Sequence, residues 1–185
     1  MVNLFYAIFA SSFDTFTIIW KEIANKLLIQ RIFLSDTKTK SEIKARNAFR
    51  SIKEGSSTKI DSIGKKIQEF LNGSEQNFDQ SLLDFRVCHP IQKKVLEAEA
   101  KIPRGWVSTY KRIAIHIDHP KSARVVGNAL ANNHFPILIP CHRAVKSNGE
   151  LGGYQGGNKM KRKLLENEGI KFASKGKVAL DKVYY

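Results

Sequence analysis

Residues 136–145, PILIPCHRAV, place Cys141 directly before His142 and Arg143, after an apolar run with a proline at each end. An ordinary thiol has a pKa of about 8.5 and is only a few per cent ionised at neutral pH. A nucleophilic cysteine therefore needs a base, a helix N-terminus or nearby positive charge. His142 and Arg143 are residues of that kind. Adjacent side chains rarely face each other, so His142 would act through a water or across a tight turn. Taken alone, such a pair is more often a packed thiol beside a surface histidine. Cys88 and His89 form a second pair of this sort and are assigned no role. Two cysteines are too few for a disulfide framework or a four-ligand zinc site.

Two further stretches bear on this cysteine. NKMKRKLLENEG (158–169) reads as a helix stopped by Gly169, with Glu166 and Glu168 in its last turn. Carboxylates there oppose the helix dipole, so such an acid is either solvated or engaged with a positive or proton-donating partner. The run Lys159, Lys161, Arg162, Lys163 reads as an ordinary helix face beside Met160, Leu164 and Leu165, or else as a phosphate-facing or nuclear-address segment. NGELGGYQGG (148–157) lacks the spacing of a nucleotide-binding glycine loop. It is a turn, or a permissive loop that wraps a flat ligand with Tyr154 as a wall.

The elements that must position these residues divide the chain at about residue 85. Residues 1–85 offer three β-rich runs, LFYAIFA, DTFTIIW and KLLIQRIFLS, separated by short polar turns. Helical patterns follow at 41–52, with Ala45, Phe49 and Ile52 on one face, and at 57–72, with Ile60, Ile63, Ile67, Phe70 and Leu71. Residues 73–85 break periodicity and read as a linker. The expectation is a two-domain α/β chain whose N-terminal domain is a three-stranded antiparallel sheet plus helices.

Residues 86–185 read as a mainly helical domain. Helices are expected at 90–101, with proline in the first turn, at 108–117, capped by Ser108 or Thr109, and at 121–132. The last two, joined by about three residues, make a helix-turn-helix of winged-helix-like character. Lys121, Ala123, Arg124 and Gly127 suit a helix that approaches DNA closely; helix–helix packing is the other reading of Gly127. Lys and Arg outnumber Asp and Glu by 12 to 10 in residues 1–85 and by 19 to 7 in residues 86–185, within a net charge of +14. A basic surplus confined to one half points to a polyanion, nucleic acid first, with a solvated basic surface as the alternative. No apolar run approaches a membrane span. NLFYAIFASS resembles a signal-peptide core, but no positive charge precedes it and Asp14 soon follows. The chain is expected to be cytoplasmic and reduced, and monomeric.

RGWVSTY, SARVVGNALANNHFPILIPCHRAV, GELGGYQGG and LLENEG together resemble the O6-alkylguanine-DNA alkyltransferase family, also called methylated-DNA–protein-cysteine methyltransferases, over about residues 90–170. The resemblance implies a repair protein that turns O6-alkylguanine out of double-stranded DNA, bound through the minor groove, and moves the alkyl group irreversibly to Cys141, once per molecule. It implies no cofactor or metal. The zinc site of some relatives' N-terminal domains has no ligands here, since residues 1–85 contain neither cysteine nor histidine.

On this resemblance Arg124 matches the arginine that replaces the extruded base, and Tyr110 the tyrosine that crowds the target phosphate. Small Ala123 and Gly127 face the DNA. Asn133 braces the turn between the DNA-binding helix and the active-site strand. Glu168 orients His142, which works through a water on Cys141 to activate it. Tyr154 walls the pocket, and backbone groups near Ala144 and Gln155 read the guanine edge. Many relatives carry serine in place of Gln155. The presence of Cys141 argues against the subgroup that binds damage without accepting the alkyl group.

Overall fold

The computed structural model describes residues 3–173 and 176–185. The chain forms two compact units. One runs to Val87 and takes in His134–Leu138; the other comprises Cys88–Asn133 and Ile139–Tyr185. Among the described residues no helix is long and apolar enough to cross a membrane.

In the first unit, β1 (Leu4–Ser11), β2 (Asp14–Ile23) and β3 (Lys26–Leu34) form an antiparallel ribbon. Ala24 and Asn25, at φ 48 and 60, make the two-residue left-handed turn whose twist matches the strands it joins. The central strand is buried without a break from Phe16 to Trp20, so both of its faces are covered. The helix expected over 41–52 ends early. α1 spans Ser41–Ala48, Phe49 is extended, and Ile52–Glu54 form β4, parallel to β1 with Leu4 opposite Ile52. The sheet is therefore four-stranded and mixed, in the order β3-β2-β1-β4, rather than three-stranded and antiparallel. Ile52 keeps helical spacing, but as a strand residue it pairs the otherwise open edge of β1.

α2 (Thr58–Leu71) buries Ile60, Ile63, Ile67, Phe70 and Leu71 as its periodicity requires. A Cβ on Gly64 would come within 2.3 Å of the Phe9 ring, so the helix lies on β1 at a distance only glycine permits. The stretch expected as a linker is packed at its end: Leu82, Leu83 and Asp84 are buried.

The second unit is mainly helical. α3 (Pro90–Glu99) carries proline in its first turn, where its missing N–H costs nothing. β5 (Ser108–Thr109) runs into α4 (Tyr110–His116), and Thr109 is the cap, its hydroxyl accepting from the Arg112 N–H at 3.2 Å. α5 (Ala123–Ala131) turns Val126, Ala129 and Leu130 inward. The Gln92 side chain on α3 donates to the Ala129 and Asn132 carbonyls, tying α3 to the end of α5. β6 (Ala144–Val145) pairs in parallel with β5, Ser108 opposite Ala144. This pairing fixes the start of α4 against the segment following Cys141. α6 (Gly157–Asn167) closes on Gly169 at φ +79.

Candidate functional site

Cys141 lies on a turn that leads into the short strand β6. The backbone is left-handed at Ile137 (φ 74), and Cys141–Arg143 form one turn of 3-10 helix, with strand geometry beginning only at Ala144. The Cys141 N–H donates to the Ile139 carbonyl at 2.8 Å and the Arg143 N–H to the Pro140 carbonyl at 2.8 Å. The Asn133 side-chain amide donates to the Ile139 carbonyl at 3.3 Å and also hydrogen-bonds the thiol. Asn133 thus braces this turn from the end of α5.

Cys141 is 5% exposed. Burial pushes its thiol up to about 12, against the Asn133 hydrogen bond that favours the thiolate; nearby Glu99 opposes ionisation and Lys161 favours it. Burial thus favours the protonated thiol. Its proton has to leave during reaction.

His142 is fully buried, and its Nε2 lies 2.9 Å from Glu168 Oε1. Burial lowers the imidazole pKa, with Glu168 pulling the other way, so the ring is neutral and able to accept a proton. Glu168 follows the last turn of α6. Burial alone would raise its pKa, but His142 and Arg143 outweigh that and hold it at about 2. Arg143 grips both carboxylate oxygens, Nε to Oε2 at 2.9 Å and Nη2 to Oε1 at 2.8 Å. These partners explain an acid at the wrong end of a helix dipole. Glu166, by contrast, makes an exposed pair with Arg162.

Lys161 departs most from the sequence reading. It is fully buried rather than on a solvated face, and its ammonium donates to the carbonyls of Ala144 at 2.7 Å, Leu151 at 2.6 Å and Gly153 at 3.4 Å. It therefore fastens the glycine-rich loop to the strand after Cys141. The signal was present, since Met160, Lys161, Leu164 and Leu165 share one helical stripe. Glu99 was missed in the same way: Gln92, Val95, Leu96 and Glu99 follow helical spacing and all are buried.

The loop reaches the start of α4. Gly152 has φ +70, and a Cβ on it would lie 2.3 Å from the Tyr110 hydroxyl oxygen, so only glycine fits. The Lys161 ammonium stands 5.9 Å from the centre of the Tyr110 ring. The Tyr154 ring meets His142 edge-on at 6.4 Å, with its hydroxyl buried and without a partner among the described residues. Ala144 is buried and Gln155 half-buried.

Cys141, His142, Glu168, Asn133, Ala144, Tyr110 and Tyr154 thus gather around one turn. Ala123, Arg124 and Gly127 lie apart on α5, where Arg124 is exposed. A Cβ on Gly127 would meet nothing within 4 Å, which removes the helix-packing explanation for that glycine. A cavity of about 680 Å³ lined by residues including Lys111, Arg112, His116 and Ser147 does not include Cys141 in its lining.

Residues 90–170 match the family model described as 6-O-methylguanine DNA methyltransferase, DNA binding domain. A methylated-DNA–protein-cysteine methyltransferase of Methanothermobacter thermautotrophicus is 47% identical over 104 residues, covering 56% of this chain and 58% of that protein. One of Candida glabrata is 44% identical over 92 residues, covering 50% and 44%. The match thus spans about half the length of these curated relatives. The solved O6-methylguanine methyltransferase of Mycobacterium tuberculosis superposes with a TM-score of 0.70 at 27% identity, over 91% of this chain and 93% of that one. A structure of the Mycobacterium tuberculosis protein in complex with DNA gives a TM-score of 0.68 at 27% identity, over 89% and 92%.

Proposed function

We propose, from the premise that residues 90–170 belong to the 6-O-methylguanine DNA methyltransferase family, that this chain repairs O6-alkylguanine by taking the alkyl group onto Cys141. The observation that carries the reading is the buried His142–Glu168 pair at 2.9 Å, set one residue beyond a buried thiol. Glu168, kept anionic by Arg143, fixes the ring through Nε2. The Nδ1 side of the ring then takes the thiol proton through an intervening water. The sulfur attacks the alkyl carbon as the bond from that carbon to O6 breaks. The thiol proton ends on the base, which leaves as neutral guanine. Sulfur is a good nucleophile toward sp³ carbon, so the step calls for no cofactor. A thioether has no route back, and each molecule acts once.

The base must leave the duplex to reach a sulfur this deep. α4 and α5 then serve as a helix-turn-helix on the minor groove, with exposed Arg124 filling the vacated stack. Ala123 and Gly127 allow close approach, which the open space beside Gly127 supports. Tyr110 turns the nucleotide outward, Tyr154 forms a wall, and backbone groups near Ala144 and Gln155 read the base edge. The domain boundary falls near residue 85, and the protein works as a cytoplasmic monomer. Incubation with a duplex containing O6-methylguanine, followed by intact mass measurement, tests this. One added methyl per chain is expected. Unmodified protein after demonstrated binding to the duplex would leave a lesion-binding module instead.

A further inference from the structure

Several charged or ionisable side chains lie buried close to the acceptor turn, and their charges do not cancel in the obvious way. Glu168 is matched by Arg143, which grips both of its oxygens. The Lys161 ammonium is fully buried, yet its three hydrogen bonds all go to neutral carbonyls. One positive charge is thus left without a hydrogen-bonded counter-ion. Two acids stand near it, the Cys141 thiol and the Glu99 carboxyl. Glu99 sits at the end of α3, which packs against α4, α5 and the Cys141 turn. It is fully buried, and among the described residues its oxygens have no side-chain hydrogen-bond partner, only the backbone N–H of Ala144. Keeping a buried carboxyl with so little compensation is costly, and the Proposed function gives it no task.

We propose that Glu99 is a positioning residue of the acceptor site, a buried acid that competes with the Cys141 thiolate for the charge of Lys161 and so sets the pH at which the sulfur reacts. Lys161 can be balanced by one anion. With Glu99 protonated, that anion is the thiolate. With Glu99 ionised, a thiolate would be a second negative charge in the same dry space, and the thiol keeps its proton. The ionisable groups facing Glu99 and Cys141 are Lys161 from α6, Arg143 from the acceptor turn, Tyr110 from α4, Tyr154 from the glycine-rich loop, and Tyr185. Of these only Lys161 and Arg143 are cations, and Arg143 is already committed. Burial lifts the Glu99 carboxyl to about 8 and the thiol to about 12, and it lowers the Lys161 ammonium to about 8 against the pull of both acids, so Glu99 and Lys161 titrate in one range and ahead of the thiol.

The inference rests on the reading of Cys141 as the alkyl acceptor, but its test uses general thiol chemistry. The full-length chain, E99Q and E99L are treated with iodoacetamide from pH 6 to 10, and alkylation of the Cys141 peptide is followed by mass spectrometry. The Cys88 peptide serves as an internal control. Above pH 8, where Glu99 is ionised in the parent chain, Cys141 should react about tenfold faster in both variants, and below pH 7, where Glu99 is protonated, it should react at the parent rate. The Cys88 profile should not move. An unchanged or slower Cys141 reaction above pH 8 in a folded variant overturns the proposal. E99L carries the test should E99Q be unstable, because it removes the buried polar group altogether. Loss of fold in both would make Glu99 a structural residue and would equally overturn it. If Cys141 reacts faster above pH 8 but no form accepts an alkyl group from O6-benzylguanine, the Proposed function fails and this inference stands.

Discussion

Asp84 in the first unit and Glu99 in the second are both acids withdrawn from water, and the chain treats them in opposite ways. Asp84 has a partner for every oxygen: Lys21 at 2.8 Å, Arg86 at 2.6 and 3.0 Å, and the Gln30 amide. Burial pushes its pKa up, but these hydrogen bonds outweigh it and hold the carboxyl well below its usual range. Such an acid is a tie between β2, β3 and the segment after them. Glu99 has no side-chain partner among the described residues, only the Ala144 backbone N–H, and burial carries its pKa up to about 8. In the first unit Asp84 is matched by cations. The second keeps an acid without a hydrogen-bonded cation, a buried thiol and a carbonyl-bound ammonium near one another. Such groups have free energy to gain from a change of protonation, and that is why the chemistry is assigned there.

The largest effect should come from E168Q. It leaves the hydrogen-bonding shape but removes the charge that holds His142 and Arg143. Alkyl transfer should slow by roughly 100-fold or more, measured as single-turnover rate on an O6-methylguanine duplex. D84N is the counterpart in the first unit. Uncoupling this partly exposed network should lower stability by about 3 kcal/mol in urea titrations while leaving the transfer rate of the folded protein unchanged. A transfer defect in D84N with intact fold would erase the contrast between the units.

The pH dependence of stability should split the two acids of the second unit. Glu168 is held at about 2 against an unfolded value of 4.5, so its contribution is full above 4.5 and is lost as pH falls toward 2. Glu99 is raised to about 8, so its contribution is full below 4.5 and is lost as pH rises through 8. Urea midpoints measured from pH 2 to 9 should therefore show the acid decline reduced in E168Q and the alkaline decline reduced in E99Q.

R124A should slow transfer from duplex DNA by about tenfold or more while changing transfer from free O6-benzylguanine less than about twofold, since only the duplex requires extrusion. Equal losses on both substrates would remove that role. G127A is the smallest change. Its Cβ meets nothing in the free protein, so thermal unfolding should show a gain of about 0.5–1 kcal/mol. Duplex binding should weaken, because the added methyl stands where the groove would lie.

Much of this was legible in the sequence, for reasons that differ between elements. β1, β2, β3 and α2 follow from local periodicity. β4 does not, because Ile52 satisfies a helical stripe and a strand equally well, and only the distant edge of β1 decides. The apolar run PILIP left the backbone course around Cys141 open, and the left-handed residue Ile137 that shapes it carries no local sign in the sequence. Lys161 and Glu99 lie on apolar helical stripes and were passed over because charged residues are assigned to solvent by habit. The Arg143–Glu168 contact joins residues 25 apart in sequence, and local patterns carry no sign of it.

The central claim is that the Cys141 sulfur becomes a thioether at the expense of the damaged base. A fixed amount of protein, titrated with excess duplex bearing deuteriomethyl-labelled O6-methylguanine and digested, tests it by tandem mass spectrometry. The label should appear on Cys141 alone and level off at one per chain, with an equal amount of guanine restored. Label on another residue, no label, or restored guanine in excess of protein would contradict it.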